Sequence, residues 1–251
     1  MKKLILILFL FTGVSHGQSI INSYAHAVVG GGGGAVPVLE SQAQSSFTSV
    51  ATIAATAPSG IVDDNVLYAC LTIDSGSDHT IVAPTGWTRE TGLDNQANGN
   101  ETAWFSKTAA SESGTYTFSW TGSESGQITI FRVSGSDTSD HFGTIGTKVN
   151  GTSTSGADDD MAGVTSVEDN TLVISYLTTD RGYTFSGNET INGGTGWTMV
   201  NQIEGWGGSG GVSFALLEKD MASSGSSGVA TIGDFDSAKD FNTQAFTIKS
   251  N

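Results

Sequence analysis

The sequence predicts an all-β protein, an antiparallel β-sandwich of jelly-roll-like layout built from two sequence-related halves. Three observations carry this prediction. The stretch Val62-Asp63-Asp64-Asn65, which feeds the apolar run 66–73, returns at an offset of 105 residues as Val167-Glu168-Asp169-Asn170, feeding 171–178. Short alternating runs bounded by Gly, Ser, Asn and Asp dominate the chain, and no window of ten residues sustains an apolar repeat at helical spacing. The 251 residues include 34 Gly and only 3 Pro, yet 37% are hydrophobic, with five Trp and twelve Phe. A disordered chain lacks that apolar content, so a packed core is expected.

Taken in order, residues 1–17 read as a secretory signal: Met1-Lys2-Lys3, an apolar run too short to span a bilayer, then the small residues Ser15 and Gly17 before cleavage ahead of Gln18. Residues 18–44 form an N-terminal segment with a hinge at Gly30 to Gly34. No Lys-Ser or Lys-Thr follows these glycines and no helix pattern opens after them, so they do not make a phosphate-binding loop. A short edge strand is predicted at 36–39, where Pro37 is tolerated. The sandwich is expected over 45–250. Repeat one (47–133) holds strand candidates at 47–53, 66–73, 87–89, 102–107, 115–120 and 127–133. Repeat two (144–250) follows the same itinerary. Gly196-Trp197-Thr198 answers Gly86-Trp87-Thr88, and the strand ending at Lys219 answers the one ending at Lys107. The offset grows only between strands, which places insertions in loops and keeps strand order.

In the repeated central strand, Leu67, Ala69, Leu71 and Ile73 share one face, and Leu172, Ile174 and Tyr176 are predicted to occupy the matching face. Tyr68 and Val173 add apolar character to the other face, the mark of a central strand covered on both sides. At the same offset Cys70 matches Ser175, so the single cysteine is predicted to fill a small-residue site as inert packing. With one Cys there is no internal disulfide.

Pro84-Thr85-Gly86-Trp87-Thr88, the strand from Trp104 to Lys107, Tyr116 to Phe118 and the closing Phe131-Arg132 together resemble a β-sandwich module that recurs in secreted bacterial surface proteins and phage structural proteins. The likeness covers nearly all of 45–250. Its motifs are structural, and it implies a fold without supplying catalytic residues.

Chemistry is sparse. The formal charge is −15, and removal of Lys2 and Lys3 with the signal takes it to −17. That disfavours nucleic acid and anionic membranes as partners, since both call for a basic surface. Gly207-Gly208-Ser209-Gly210-Gly211 has the letters of a nucleophile elbow, but no helix pattern and no later His accompany it. His79 and His141 read as exposed loop residues. Asp158, Asp159 and Asp160 are the candidate metal ligands, for Ca²⁺, because carboxylate oxygens suit that ion. Glu204 and Trp206 are the candidate ligand contacts: Trp206 has no counterpart in repeat one and sits on a glycine-rich insertion, where an aromatic ring suits stacking on a sugar. No cofactor is implied. The leading expectation is a secreted, non-catalytic protein that binds or adheres to glycans or another surface component. The alternatives are a phage virion or self-assembling extracellular structural protein, which would be a homo-oligomer, and a carbohydrate-active hydrolase or lyase, which lacks its carboxylate motif here.

Overall fold

The computed structural model describes residues 34–97, 99–110, 112–152, 159–180, 191–192, 196–206, 211–232 and 240–251. All regular structure in them is β. The first half contributes β1 (Val38–Thr56), β2 (Val66–Asp74), β3 (Thr88–Ala97), β4 (Asn100–Thr108) and β5 (Thr115–Ser134). They form an antiparallel sheet in the order β1-β5-β2-β4-β3. Strands predicted separately at 36–39 and 47–53 merge into β1, with register shifts after Leu39, Phe47 and Val50. The aromatic run 115–120 and the closing run 127–133 likewise merge into one bent strand, β5. Gly126 permits the bend, because a Cβ there would lie 2.1 Å from the carbonyl oxygen of Thr72. Only a residue without a side chain lets the two backbones approach so closely.

The second half contributes β6 (Val149–Thr152), β7 (Asp159–Met161), β8 (Thr165–Ser166), β9 (Thr171–Asp180), β10 (Ile191–Asn192), β11 (Thr198–Trp206), β12 (Val212–Met221), β13 (Gly225–Ser226), β14 (Ala230–Ile232) and β15 (Asp240–Ile248). Its main sheet reads β6-β15-β9-β12-β11, the same order as the first sheet when each strand is replaced by its counterpart. Small sheets of β10, β14 and β7, and of β13 and β8, complete this half.

Three apolar clusters hold the layers. Val66, Tyr68, Cys70, Trp104, Phe131 and Val133 of the first sheet face Leu172, Ile174, Tyr176, Leu216, Phe246 and Ile248 of the second, and together they make the inter-sheet core. The opposite face of the first sheet, with Leu67, Leu71 and Phe105, packs under the bent arms of β1 and β5 with Trp87 and Phe118. The opposite face of the second sheet, with Val173, Leu177 and Leu217, packs against Met161, Ala230 and Trp197. Both faces of each central strand are therefore covered, and β2 and β9 are buried at every position but the last. Trp87 and Trp197 are each 8% exposed. Each follows a glycine with positive φ, Gly86 at 86° and Gly196 at 94°, and beside that glycine lies the lysine of the next strand, Lys107 or Lys219. The aromatic–lysine pattern thus closes a turn: Lys107 Nζ stands 5.8 Å from the Tyr116 ring centre and Lys219 Nζ 5.8 Å from that of Trp197.

The register corrects the phase read from sequence. Leu67 pairs with Lys107 and Arg132, whereas Val173 pairs with Lys219 and Thr247. Aligning the two lysines makes Val173, and not Leu172, the counterpart of Leu67. The left-handed residues of the two acidic turns agree, Asp64 at φ 66° and Asn170 at φ 54°. So Leu67, Ala69, Leu71 and Ile73 point into their own half, while Leu172, Ile174 and Tyr176 point into the inter-sheet core. The counterpart of Cys70 is Tyr176, and Ser175 faces the other way, its hydroxyl donating to the carbonyl of Ala162 at 2.7 Å. Cys70 is a buried residue of the inter-sheet core, and burial pushes its thiol well above the ordinary range. A thiol so protonated is a poor nucleophile, so the expected inertness has a different cause from the one the sequence suggested.

Candidate functional site

Strand directions bring equivalent features of the two halves to one end of the sandwich. There β2 ends at Asp74 and β9 at Asp180, the β3–β4 hairpin turns between Ala97 and Asn100, and the β11–β12 hairpin turns between Trp206 and Val212. Val212 pairs with Asp180, which sets the second hairpin beside the end of β9. The first hairpin reaches the same place across the sheets. A Cβ on Gly99 would lie 2.8 Å from Asp180 Cγ, and Thr178 Oγ1 donates to Asn100 Oδ1 at 3.0 Å. Thr102 Oγ1 and Thr178 Oγ1 stand 3.3 Å apart, and Asn242 Nδ2 also donates to Asn100 Oδ1. The inter-sheet space is accordingly polar at this end and apolar at the other, where Val66, Val133, Leu172 and Ile248 meet.

Of the residues predicted to make contacts, Glu204 and Trp206 lie in the last turn of backbone before the β11–β12 hairpin, with Trp206 paired to Val212 after a register shift. The strand thus carries both to the hairpin end; their side chains, and residues 207–210, lie outside the described part. Asp158 also lies outside it. Asp159 and Asp160 are neighbours in β7, paired with Ile232 and Thr231, and the side chain of Asp159 lies outside the described part. The exposed carboxylate of Asp160 accepts from Thr231 Oγ1 at 2.8 Å. Among the described residues no three His, Cys, Asp or Glu are grouped so as to hold a metal ion.

The two histidines are not free loop residues, which corrects the sequence reading. His79 lies in the loop after β2, and its side chain is 7% exposed. Its Nδ1 stands 3.0 Å from Glu101 Oε2, an oxygen that also accepts the His79 backbone N–H at 3.0 Å, and its Nε2 stands 3.3 Å from Glu124 Oε1. Arg89 Nη2 lies 3.7 Å from Glu101 Oε1, while Arg89 Nε donates to Asp94 Oδ1 at 2.9 Å. Lys148 Nζ donates to the Asp94 carbonyl. Burial raises the carboxyls of Glu101 and Asp94 above the usual range, opposed by the hydrogen bonds from His79 and Arg89 respectively. These partners come from β3, β4 and β5, with no spacing that a sequence reading could detect.

His141 lies in the connection between the halves. Its Nδ1 accepts from Ser106 Oγ at 2.8 Å, and its Nε2 faces the Thr138 carbonyl at 3.2 Å and Thr108 Oγ1 at 2.9 Å. Its own carbonyl accepts from Tyr68 Oη at 2.7 Å. A carbonyl partner at Nε2 calls for a proton there, which in the neutral ring leaves Nδ1 to accept from Ser106, and burial favours that neutral form by holding the pKa below the ordinary value. A serine against a histidine has the makings of a nucleophile pair, but Ser106 is 3% exposed at the edge of the inter-sheet core. The pair fastens the connection to β4; an acyl group has no approach to Oγ.

Comparison with known proteins gives no match to a family model, to a curated protein or to a solved structure.

Proposed function

We propose that the chain is a secreted, non-catalytic binding or adhesion protein whose contact surface is the hairpin end, with a glycan or another surface component as partner. The observation that carries this reading is the convergence of equivalent hairpins from the two halves at one end, next to a polar inter-sheet layer. The ionisable groups described near it, His79, Glu101, Glu124, Arg89 and Asp94, are engaged with one another, as supports for loops and not as an acid–base pair turned toward a substrate. Binding to an array of glycans and to immobilised cell-surface material tests the proposal. Trp206→Ala is expected to weaken binding by about 1–3 kcal/mol while leaving the melting temperature nearly unchanged. Val167, 75% exposed in the acidic turn at the other end, serves as control, and Val167→Ser leaves binding intact. Binding lost in the Val167 variant and kept in the Trp206 variant would place the surface elsewhere.

A second reading, self-assembly into an extracellular or virion structure, is favoured by one feature. β1 is a sheet edge that pairs only with β5 among the described residues, and from Ser41 through Thr56 it carries no charge and no proline. The other edges carry Arg89, Glu90 and Asp94 in β3 and Glu204 in β11, or are short, as β6 is. Charges and brevity protect an edge from strand addition, and β1 has neither.

A further inference from the structure

We propose that the open edge of β1 is the docking surface for a second copy of this chain, joined across a twofold axis at Gln44. The proposal rests on the self-assembly reading above and names the partner and the geometry of one contact. From Ser41 to Phe47, β1 pairs residue for residue with β5, from Arg132 back to Gly126, and register shifts lie on either side of this stretch. Its outer row of N–H and C=O groups meets no further strand among the described residues. Edge groups of this kind template the addition of another strand.

Charge narrows what can be added. The chain carries a formal charge of −15. A twofold axis sets each residue near it opposite its own copy, so a charged group there meets a like charge. Residues 41–56 hold no Asp, Glu, Lys or Arg. Antiparallel self-pairing about the exposed Gln44 uses the whole straight stretch: Ser41 faces Phe47 of the copy, Gln42 faces Ser46 and Ala43 faces Ser45. Glu40 then faces Thr48, and its carboxylate keeps its place 3.7 Å from Arg132 Nη2.

The second sheet meets the same axis. Gln42 Nε2 donates to the Val200 carbonyl at 3.0 Å, and Asn201 Nδ2 donates to Gln44 Oε1 at 3.4 Å. β11, an edge of the second sheet, therefore lies beside β1 on the same side of the sandwich. An axis through Gln44 and Asn201, normal to the sheets, sets β1 against β1 and β11 against β11. Both sheets then continue into the copy at once. An extended peptide from another protein would lengthen the first sheet alone, whereas a copy supplies a matching edge for each. Glu204 lies farther along β11, away from the axis.

Sedimentation velocity from about 1 μM to about 100 μM reads the association, and a reversible monomer–dimer equilibrium is expected. Gln44→Glu still accepts from Asn201 but sets two carboxylates opposite each other. It is expected to weaken association at least about tenfold at an unchanged melting temperature. Gln44→Lys weakens it likewise, and an equimolar mixture of the two variants restores the dimer, because unlike charges then meet across the axis. Association left intact by both variants, or no recovery in the mixture, would overturn the β1 interface and leave self-assembly through another surface standing. A monomer at every concentration would overturn both. Dimers that form only after deletion of residues 18–29 would also overturn the proposal, since the N-terminal segment of the same chain would then hold the edge.

Discussion

Two histidines in this protein are held by groups of different kinds. His79 sits between two carboxylates, whereas His141 sits between a serine hydroxyl and a carbonyl, which suit a neutral ring. Because burial depresses the pKa of His141 in the folded state, the unfolded chain binds its proton more readily. Its contribution to stability is therefore present above the unfolded imidazole value, about 6.5, and is lost as the pH falls through it. His141→Asn, an amide that keeps one acceptor and one donor, is expected to remove that acid-side slope, seen as smaller loss of urea midpoint between about pH 7 and about pH 5. An unchanged slope would show that another group titrates there. Neither histidine's partner is adjacent in sequence, and this is why both read as exposed loop residues.

At the scale of the element, the long strands β1 and β5 do what the sequence assigned to four shorter ones. Each leaves the main sheet and bends over its outer face, so one strand supplies hydrogen bonds to the sheet and aromatic cover to the core, as Phe47, tilted against Trp120 with ring centres 4.6 Å apart, illustrates. Gly126 is the point of closest approach. Gly126→Ala would drive a methyl into the Thr72 carbonyl and also toward Phe47 Cζ, 2.8 Å away, and is expected to cost about 1–3 kcal/mol or more in chemical denaturation. A neutral result would mean that the arms bend elsewhere. The same glycine reads in sequence as a turn, since a glycine between two alternating runs signals a break more often than a bend.

The whole molecule depends on a core that neither half completes by itself. Trp104 is fully buried there, with its ring centre 4.8 Å from Phe246, 5.3 Å from Tyr176 and 5.8 Å from Phe131. Polar links across the sheets reinforce it, among them Asn95 Nδ2 to Asn150 Oδ1 at 3.1 Å and Gln42 Nε2 to the Val200 carbonyl at 3.0 Å. Trp104→Ala should cost about 3–5 kcal/mol and weaken coupling between the halves, so that a single calorimetric transition broadens or divides. Trp87, whose contacts lie within one half, is the comparison: Trp87→Ala destabilises without that loss of coupling.

The amino-acid pattern alone determined the all-β class, the positions of the central strands, and the Gly-Trp-Thr turns with their lysines. These are local matters: period-two alternation, turn residues, and a glycine where φ is positive. The phase of the central strands was beyond it. When both faces of a strand are buried, apolar residues stand on both, and nothing in the pattern says which face looks inward. Only the tertiary register places Tyr176 opposite the sheet that holds Cys70, with Ser175 turned to the other side. The His79 cluster was illegible for a related reason. Glu101 and Glu124 stand 22 and 45 residues from His79, and sequence carries no signal for bonds that arise only when the loop after β2, β4 and the bent β5 are folded together.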